Sequence, residues 1–212
     1  MTTEIQLLYD SSGFVNLSEV VEDAIYEPRY YSSYNFVGKK IDGYEEECVI
    51  YSRVGANALG AVAEKAMARG YRLKIYDAYR PMRAVRHFIR WTSDPDEKMK
   101  EIFYPNISKI QIPEHGYISP RSSHARGSAI DLTLATLDGR ELDMGGIFDF
   151  FGDVSHYAYE NLTDGQKENR KILRDLMEDC GFRGIRSEWW HFELKDEPFP
   201  NTFFDFPVRK CI

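Results

Sequence analysis

The chain has 212 residues, 43% of them hydrophobic and 14% aromatic, with 27 Lys and Arg against 34 Asp and Glu for a net charge of -7. That length and apolarity suit one substantial core, and no repeat or linker divides the chain, so a single domain over residues 1–212 is expected. The acidic balance without any Lys/Arg cluster excludes a nucleic-acid backbone as partner, which needs a basic field, and no apolar run is long enough to cross a bilayer.

In chain order, the start at Met1 lacks the basic and apolar regions of a signal peptide, so a cytoplasmic protein without a membrane partner is expected. Residues 1–46 are irregular and tyrosine-rich, with Tyr26, Tyr30, Tyr31, Tyr34 and Tyr44, and are punctuated by Pro28, Gly38 and Gly43 into loops and short strands. Glu47 to Ser52 reads as a strand. From Asn57 to Arg69 the apolar residues Leu59, Val62, Ala63, Ala66 and Met67 follow helical spacing, and Gly70 is placed to close the helix. Tyr71 to Tyr76 alternates like a strand and runs into Asp77-Ala-Tyr-Arg80-Pro81, where Pro81 opens a helix through Val85, Phe88 and Ile89. Read locally, Asp77 and Arg80 make an ion pair, although a strand-to-helix junction is also a common place for function. Ser93 begins a short helical piece ending near Tyr104, and Pro113 to Pro120 is a loop. Asp138-Gly139 signals a hairpin returning along Arg140 to Met144, and Asp149 stands among aromatics at Phe148 to Phe151. Thr163 and Gln166 spell a capping box, followed by the apolar stripe Ile172, Leu173, Leu176 and Cys180, with Gly181 as the stop. Cys48, Cys180 and Cys211 are scattered without Cys-x-x-Cys spacing, so buried or inert thiols are expected rather than a disulfide framework. His87 and His115 have no second ligand type at useful spacing and are read as ordinary histidines.

Two stretches carry chemistry. In a helix, His124 and Asp131 would lie roughly 10 Å apart, too far to share one small ion. Instead, Ser128 to Leu134 alternates, with Ile130, Leu132 and Leu134 on one side and Ala129, Asp131 and Thr133 on the other, the pattern of a half-buried strand. A reversal near Arg126-Gly127 then lets His124 fold back beside Asp131. The second stretch, Ser187-Glu-Trp-Trp-His-Phe-Glu-Leu194, puts His191 on another alternating strand and Glu188 just before it. Two imidazoles and a carboxylate leave a tetrahedral Zn²⁺ one open position, the mark of a catalytic rather than a closed structural site. A water there would have its pKa lowered to about 7, with Glu188 placed to move its proton.

The motifs Ser-x-His-x-x-Gly-x-Ala-x-Asp at 122–131 and Glu-x-x-His at 188–191 resemble the zinc D,D-peptidases of the M15 group. With Tyr-Asp-Ala-Tyr-Arg-Pro, Glu-Trp-Trp-His and the ending Pro-Asn-Thr-Phe-Phe-Asp-Phe-Pro-Val, the chain is similar to the VanX-type D-alanyl-D-alanine dipeptidases from about Tyr30 onward. The resemblance implies one Zn²⁺ per chain held by His124, Asp131 and His191, with Glu188 as general base and acid and Arg80 on the tetrahedral oxyanion. It further implies a small dipeptide substrate, its ammonium on Asp149, with Tyr30, Tyr44 and Ser122 lining the pocket, so that the N-terminal segment 1–46 contributes to substrate binding. The expected fold is α+β, one domain with a central, mainly antiparallel sheet flanked by helices; a homo-oligomer is compatible with it. A D,D-carboxypeptidase or cell-wall endopeptidase, a non-catalytic zinc-binding module and a zinc-free structural protein are the alternatives. Ala78 stands where the family pattern has glycine, and Ile147 where a polar residue is expected before Phe148-Asp149.

Overall fold

The structure is a computed structural model and describes residues 7–210; the expectations for Cys211 and for the start at Met1 fall outside them. The strands are β1 (Leu7–Leu8), β2 (Phe14–Asn16), β3 (Ile25–Tyr26), β4 (Ile50–Ser52), β5 (Tyr71–Asp77), β6 (Ala129–Thr136), β7 (Phe182–Gly184), β8 (His191–Leu194) and β9 (Phe203–Phe204). The helices are α1 (Arg53–Ala68), α2 (Met82–Trp91), the short α3 (Lys100–Phe103) and α4 (Gln111–Glu114), and α5 (Asp164–Glu178). The central sheet has the order β3-β5-β6-β8-β7, antiparallel throughout except for the parallel pair β3 and β5, which is the expected α+β architecture. Two small separate sheets pair β2 with β4 and β1 with β9.

Local chemistry sets the helix ends. α1 begins a turn before Asn57 because the Ser52 hydroxyl accepts from Gly55 N at 3.3 Å, and the chain leaves it through Gly70 at φ +82°. α5 has the full capping box, Gln166 N donating to the Thr163 hydroxyl and Thr163 N to the Gln166 side chain. The helix expected from Ser93 forms only at Lys100. Ahead of it, Asp94 and Asp96 accept from the backbone of Asp96 and Lys98, local turns that compete with a helix. The return along Arg140 to Met144 is reduced to a single bridge between Ala135 and Glu141 after the Gly139 turn.

One expectation is corrected. β6 is buried on both faces rather than half-buried. Its Ile130, Leu132 and Leu134 belong to the core shared with α1 and α5. The face that carries Asp131 is closed over by the loop at 144–156, whose Phe148 stacks on Tyr76 (ring centroids 4.5 Å apart) and meets Trp190 edge-on at 5.4 Å.

Two irregularities position the site. The β5–β6 register shifts between Ile75, opposite Leu132, and Asp77, opposite Asp131. That bulge at Tyr76 adds one residue to β5 and brings Asp77, rather than Tyr76, beside Asp131. At the mouth of β6, Gly127 ends a 3-10 turn (Ser123–Arg126) at φ +66°, and a Cβ there would come within 2.5 Å of the Phe14 ring. Gly127→Ala is therefore expected to destabilise the protein by at least about 1–2 kcal/mol, the cost of the left-handed conformation alone. Urea denaturation checks this; an unchanged midpoint would show that the turn relaxes freely.

Candidate active site

Three neighbouring strands put Asp77, Asp131 and His191 side by side, since Asp131 is in register with Asp77 on β5 and with His191 on β8. The 3-10 turn before β6 folds His124 over this row. His124 Nε2 lies 3.2 Å from His191 Nδ1 and 3.3 Å from Asp131 Oδ2, and His191 Nδ1 lies 3.1 Å from Asp131 Oδ1. One ligand atom from each of His124, Asp131 and His191 thus lies within 4.8 Å of the others.

The donor set fits a zinc ion. His124 Nδ1 donates to the Ala78 carbonyl at 2.6 Å, which leaves Nε2 as the lone-pair nitrogen facing the cluster. Burial and the Arg80 charge push the His124 imidazole down to about 4, so it is neutral and able to ligate. At His191 burial opposes charge, but the hydrogen bond to Asp131 and the nearby Glu193 and Glu188 outweigh it and raise the ring to about 10. Burial likewise works to raise Asp131, and the two imidazoles overcome it, holding the carboxyl far below the usual range. The cluster calls for positive charge at its centre, which a divalent cation supplies more fully than a proton. On the far side of His191, Nε2 faces Glu193 Oε1 at 3.7 Å.

Beside the ligand set lies a cavity of about 230 Å³, lined among others by Tyr30, Arg80, Tyr117, Ser122, Asp149, Glu188 and Trp190. It is smaller than the roughly 300–1,000 Å³ of drug-sized sites, a volume for one small peptide. Glu188 Oε2 stands 3.8 Å from His191 Nδ1, and burial pushes its carboxyl up to about 7. Arg80 donates from Nε to Asp77 (2.9 Å) and from Nη2 to Asp131 (3.2 Å), so the local ion pair is real and extends to the ligand row. Tyr30 donates its hydroxyl to Asp149 at 3.1–3.2 Å, and burial holds the Asp149 carboxyl well above the usual range. Asp149 has φ +64°, the only non-glycine residue in the left-handed region among the described residues.

A family model described as D-ala-D-ala dipeptidase, Peptidase M15, matches residues 10–209. The chain belongs to the D-Ala-D-Ala dipeptidase family. It is 43% identical to the D-alanyl-D-alanine dipeptidase of Enterococcus faecium over 93% of this chain and 98% of that one. It is 39% identical to that of Streptomyces coelicolor over 93% and 99%. A solved vancomycin-resistance D,D-dipeptidase, VanXYg, in complex with a D-Ala-D-Ala phosphinate analog, overlaps 71% of this chain and 52% of its own at 20% identity and a TM-score of 0.38.

In this member of the D-Ala-D-Ala dipeptidase family, Tyr30, Arg80, Ser122, Asp149 and Glu188 converge with His124, Asp131 and His191 on one cavity. Tyr44 does not line it. Its hydroxyl is spent on Asp77 Oδ1 at 2.7 Å, which places the ring one residue behind Arg80. Ala78 is fully buried and acts through its carbonyl, while Ile147 is 42% exposed and does not line the cavity. Tyr117, bonded to His156, and Glu193 are among the neighbours that sequence reasoning missed. For Glu193 a signal was present, since it alternates with His191 on the same face of β8. His87 accepts from Asp42 N and lies away from the site, Cys48 is buried, and both it and Cys180 are free thiols. No helix among the described residues is long and apolar enough to cross a membrane.

Proposed function

We propose that the protein is a zinc-dependent dipeptidase that hydrolyses D-Ala-D-Ala to two D-alanines, with one Zn²⁺ held by His124, Asp131 and His191. The observation that carries this reading is the meeting of that ligand set, Glu188 and Asp149 in one small cavity. Family membership and the D-alanyl-D-alanine dipeptidases named above support the substrate. The described residues serve one domain, in which the tyrosine-rich N-terminal segment brings Tyr30 to the pocket and Tyr44 to its support.

When bound, Zn²⁺ supplies a Lewis acid that polarises the scissile carbonyl and acidifies water. Glu188, near neutrality because it is buried, takes a proton from the attacking water and delivers it to the leaving amine as the C–N bond breaks. Arg80, fixed through Nε and Nη2 and lining the cavity, offers its guanidinium charge to the oxygen on which charge develops. Asp77 and Tyr44 hold that guanidinium in place. Asp149 and Tyr30 bind the ammonium at the far end, and Ser122 lines the wall between them and the ligand turn.

Free D-alanine should be released from D-Ala-D-Ala by the zinc-loaded protein, stop when the metal is chelated and resume when zinc is returned. No release from zinc-replete protein would end this reading. Arg80→Ala is expected to lower kcat by about 10²–10³, the scale of one lost oxyanion donor. Stopped-time assays at saturating dipeptide decide it; an unchanged kcat would leave Arg80 as a partner of Asp77 and Asp131 only.

A further inference from the structure

The first turns of α5 hold the loop that carries Asp149. Gln166 Nε2 donates to Asp143 Oδ2 and Asn169 Nδ2 to the Asp143 carbonyl, both at 2.9 Å. One residue on, Arg170 is buried, and its guanidinium donates from Nε to Met144 O (2.7 Å), from Nη1 to His156 O (2.8 Å) and from Nη2 to Val154 O (2.7 Å). One planar fork therefore grips both ends of the 144–156 loop. The guanidinium pairs with no carboxylate among the described residues. A buried cation whose hydrogen bonds all go to carbonyls is costly to keep, yet its rigid geometry closes three contacts that a flexible ammonium cannot make at once. Burial pushes this guanidinium down to about 10, which leaves it charged at neutral pH.

The clamp reaches the chemistry on two sides. Its charge lies 5.8 Å from the Trp189 ring, and Trp189 N donates to Ser155 O at 2.9 Å, which ties the loop to the residue beside Glu188. Within the loop, the Ser155 hydroxyl donates to Phe150 O, next to Asp149. Asp149 itself sits at φ +64°, a conformation that a non-glycine residue keeps only when its surroundings hold it there.

We infer that Arg170 is a positioning residue for amine recognition: by fixing both ends of the 144–156 loop it holds Asp149 in the left-handed conformation that turns its carboxylate toward Tyr30 and the cavity. This rests on Asp149 being the partner of the substrate's ammonium. A role confined to the scaffold would affect all substrates alike, whereas a role through Asp149 affects those with a free amine.

The test is kcat and KM for D-Ala-D-Ala and N-acetyl-D-Ala-D-Ala on wild type, Arg170→Lys and Arg170→Gln, with thermal melting of each zinc-loaded variant. Lysine keeps the charge but reaches fewer carbonyls, and glutamine keeps donors without a charge. In a folded variant KM for the free dipeptide should rise about 10- to 100-fold, the weight of one charge-assisted contact, while kcat and the acetylated substrate's kcat/KM change little. Ser155→Ala should move the same preference in the same direction by less. A preference unchanged from wild type, an equal loss on both substrates, or failure of both Arg170 variants to fold overturns the inference and leaves Arg170 as scaffold. If wild type itself shows no preference for the free dipeptide, the Asp149 reading falls first and takes this inference with it.

Discussion

Glu188→Gln is expected to keep its zinc and to lose about 10³-fold in kcat, within the range for a missing general base. The two side chains have the same shape, and Glu188 lies outside the group formed by His124, Asp131 and His191, so the ligand set is untouched. What changes is proton chemistry. Burial brings the Glu188 carboxyl to about 7, where it can both accept and return a proton near neutrality, and an amide can do neither. Elemental analysis and D-alanine release on the same sample separate the two effects. A variant that loses metal together with rate would make Glu188 a ligand, and one that retains most of its rate would remove it from the chemistry.

The approach of His124 to Asp131 was legible because its geometry is local. A glycine at the end of a tight turn, followed by a strand, brings His124 over Asp131, and Gly127 does take φ +66° there. The alternation around His191 likewise placed it on a strand with Glu188 just upstream, as β8 shows. What the sequence did not reveal is the pairing that makes these pieces one site. Asp131 and His191 face each other across adjacent strands sixty positions apart, and no periodicity states which strands become neighbours.

The errors have the same origin. Alternation in β6 separates two faces but does not say what covers the second, and the 144–156 loop buries it. Tyr44 was assigned to the pocket by resemblance, yet a tyrosine's position depends on where its hydroxyl finds a partner, and Asp77 supplies one behind Arg80. Asp77 gained that place through a bulge at Tyr76, which an otherwise regular alternating strand gave no sign of. Asp149 stood out in the sequence for its aromatic neighbours, and the resemblance gave it the substrate's ammonium. Its left-handed backbone was hidden because the usual marker of such a conformation, glycine, is absent.

D-Ala-D-Ala should be hydrolysed at least about 10³-fold better in kcat/KM than N-acetyl-D-Ala-D-Ala, from two separate causes. The first is electrostatic. Burial holds the Asp149 carboxyl well above its ordinary range, so its anion needs a cation beside it, and a free ammonium is that cation. A neutral amide forfeits a charge-assisted contact of about 1.5–3 kcal/mol, roughly 10- to 100-fold. The second is steric: an acetyl group adds volume at the end of a cavity of about 230 Å³, against Tyr30 and Phe151, in an interior packed too tightly to yield cheaply. Asp149→Ala should narrow the gap by harming the free dipeptide more than the acetylated one.

The ratio of kcat/KM for these two substrates on zinc-replete wild type is the most direct measurement of whether this pocket is built for a free dipeptide. A ratio of about 10³ or more is the expected result. Comparable rates would contradict it and point instead to a D,D-carboxypeptidase working through the same ligand set.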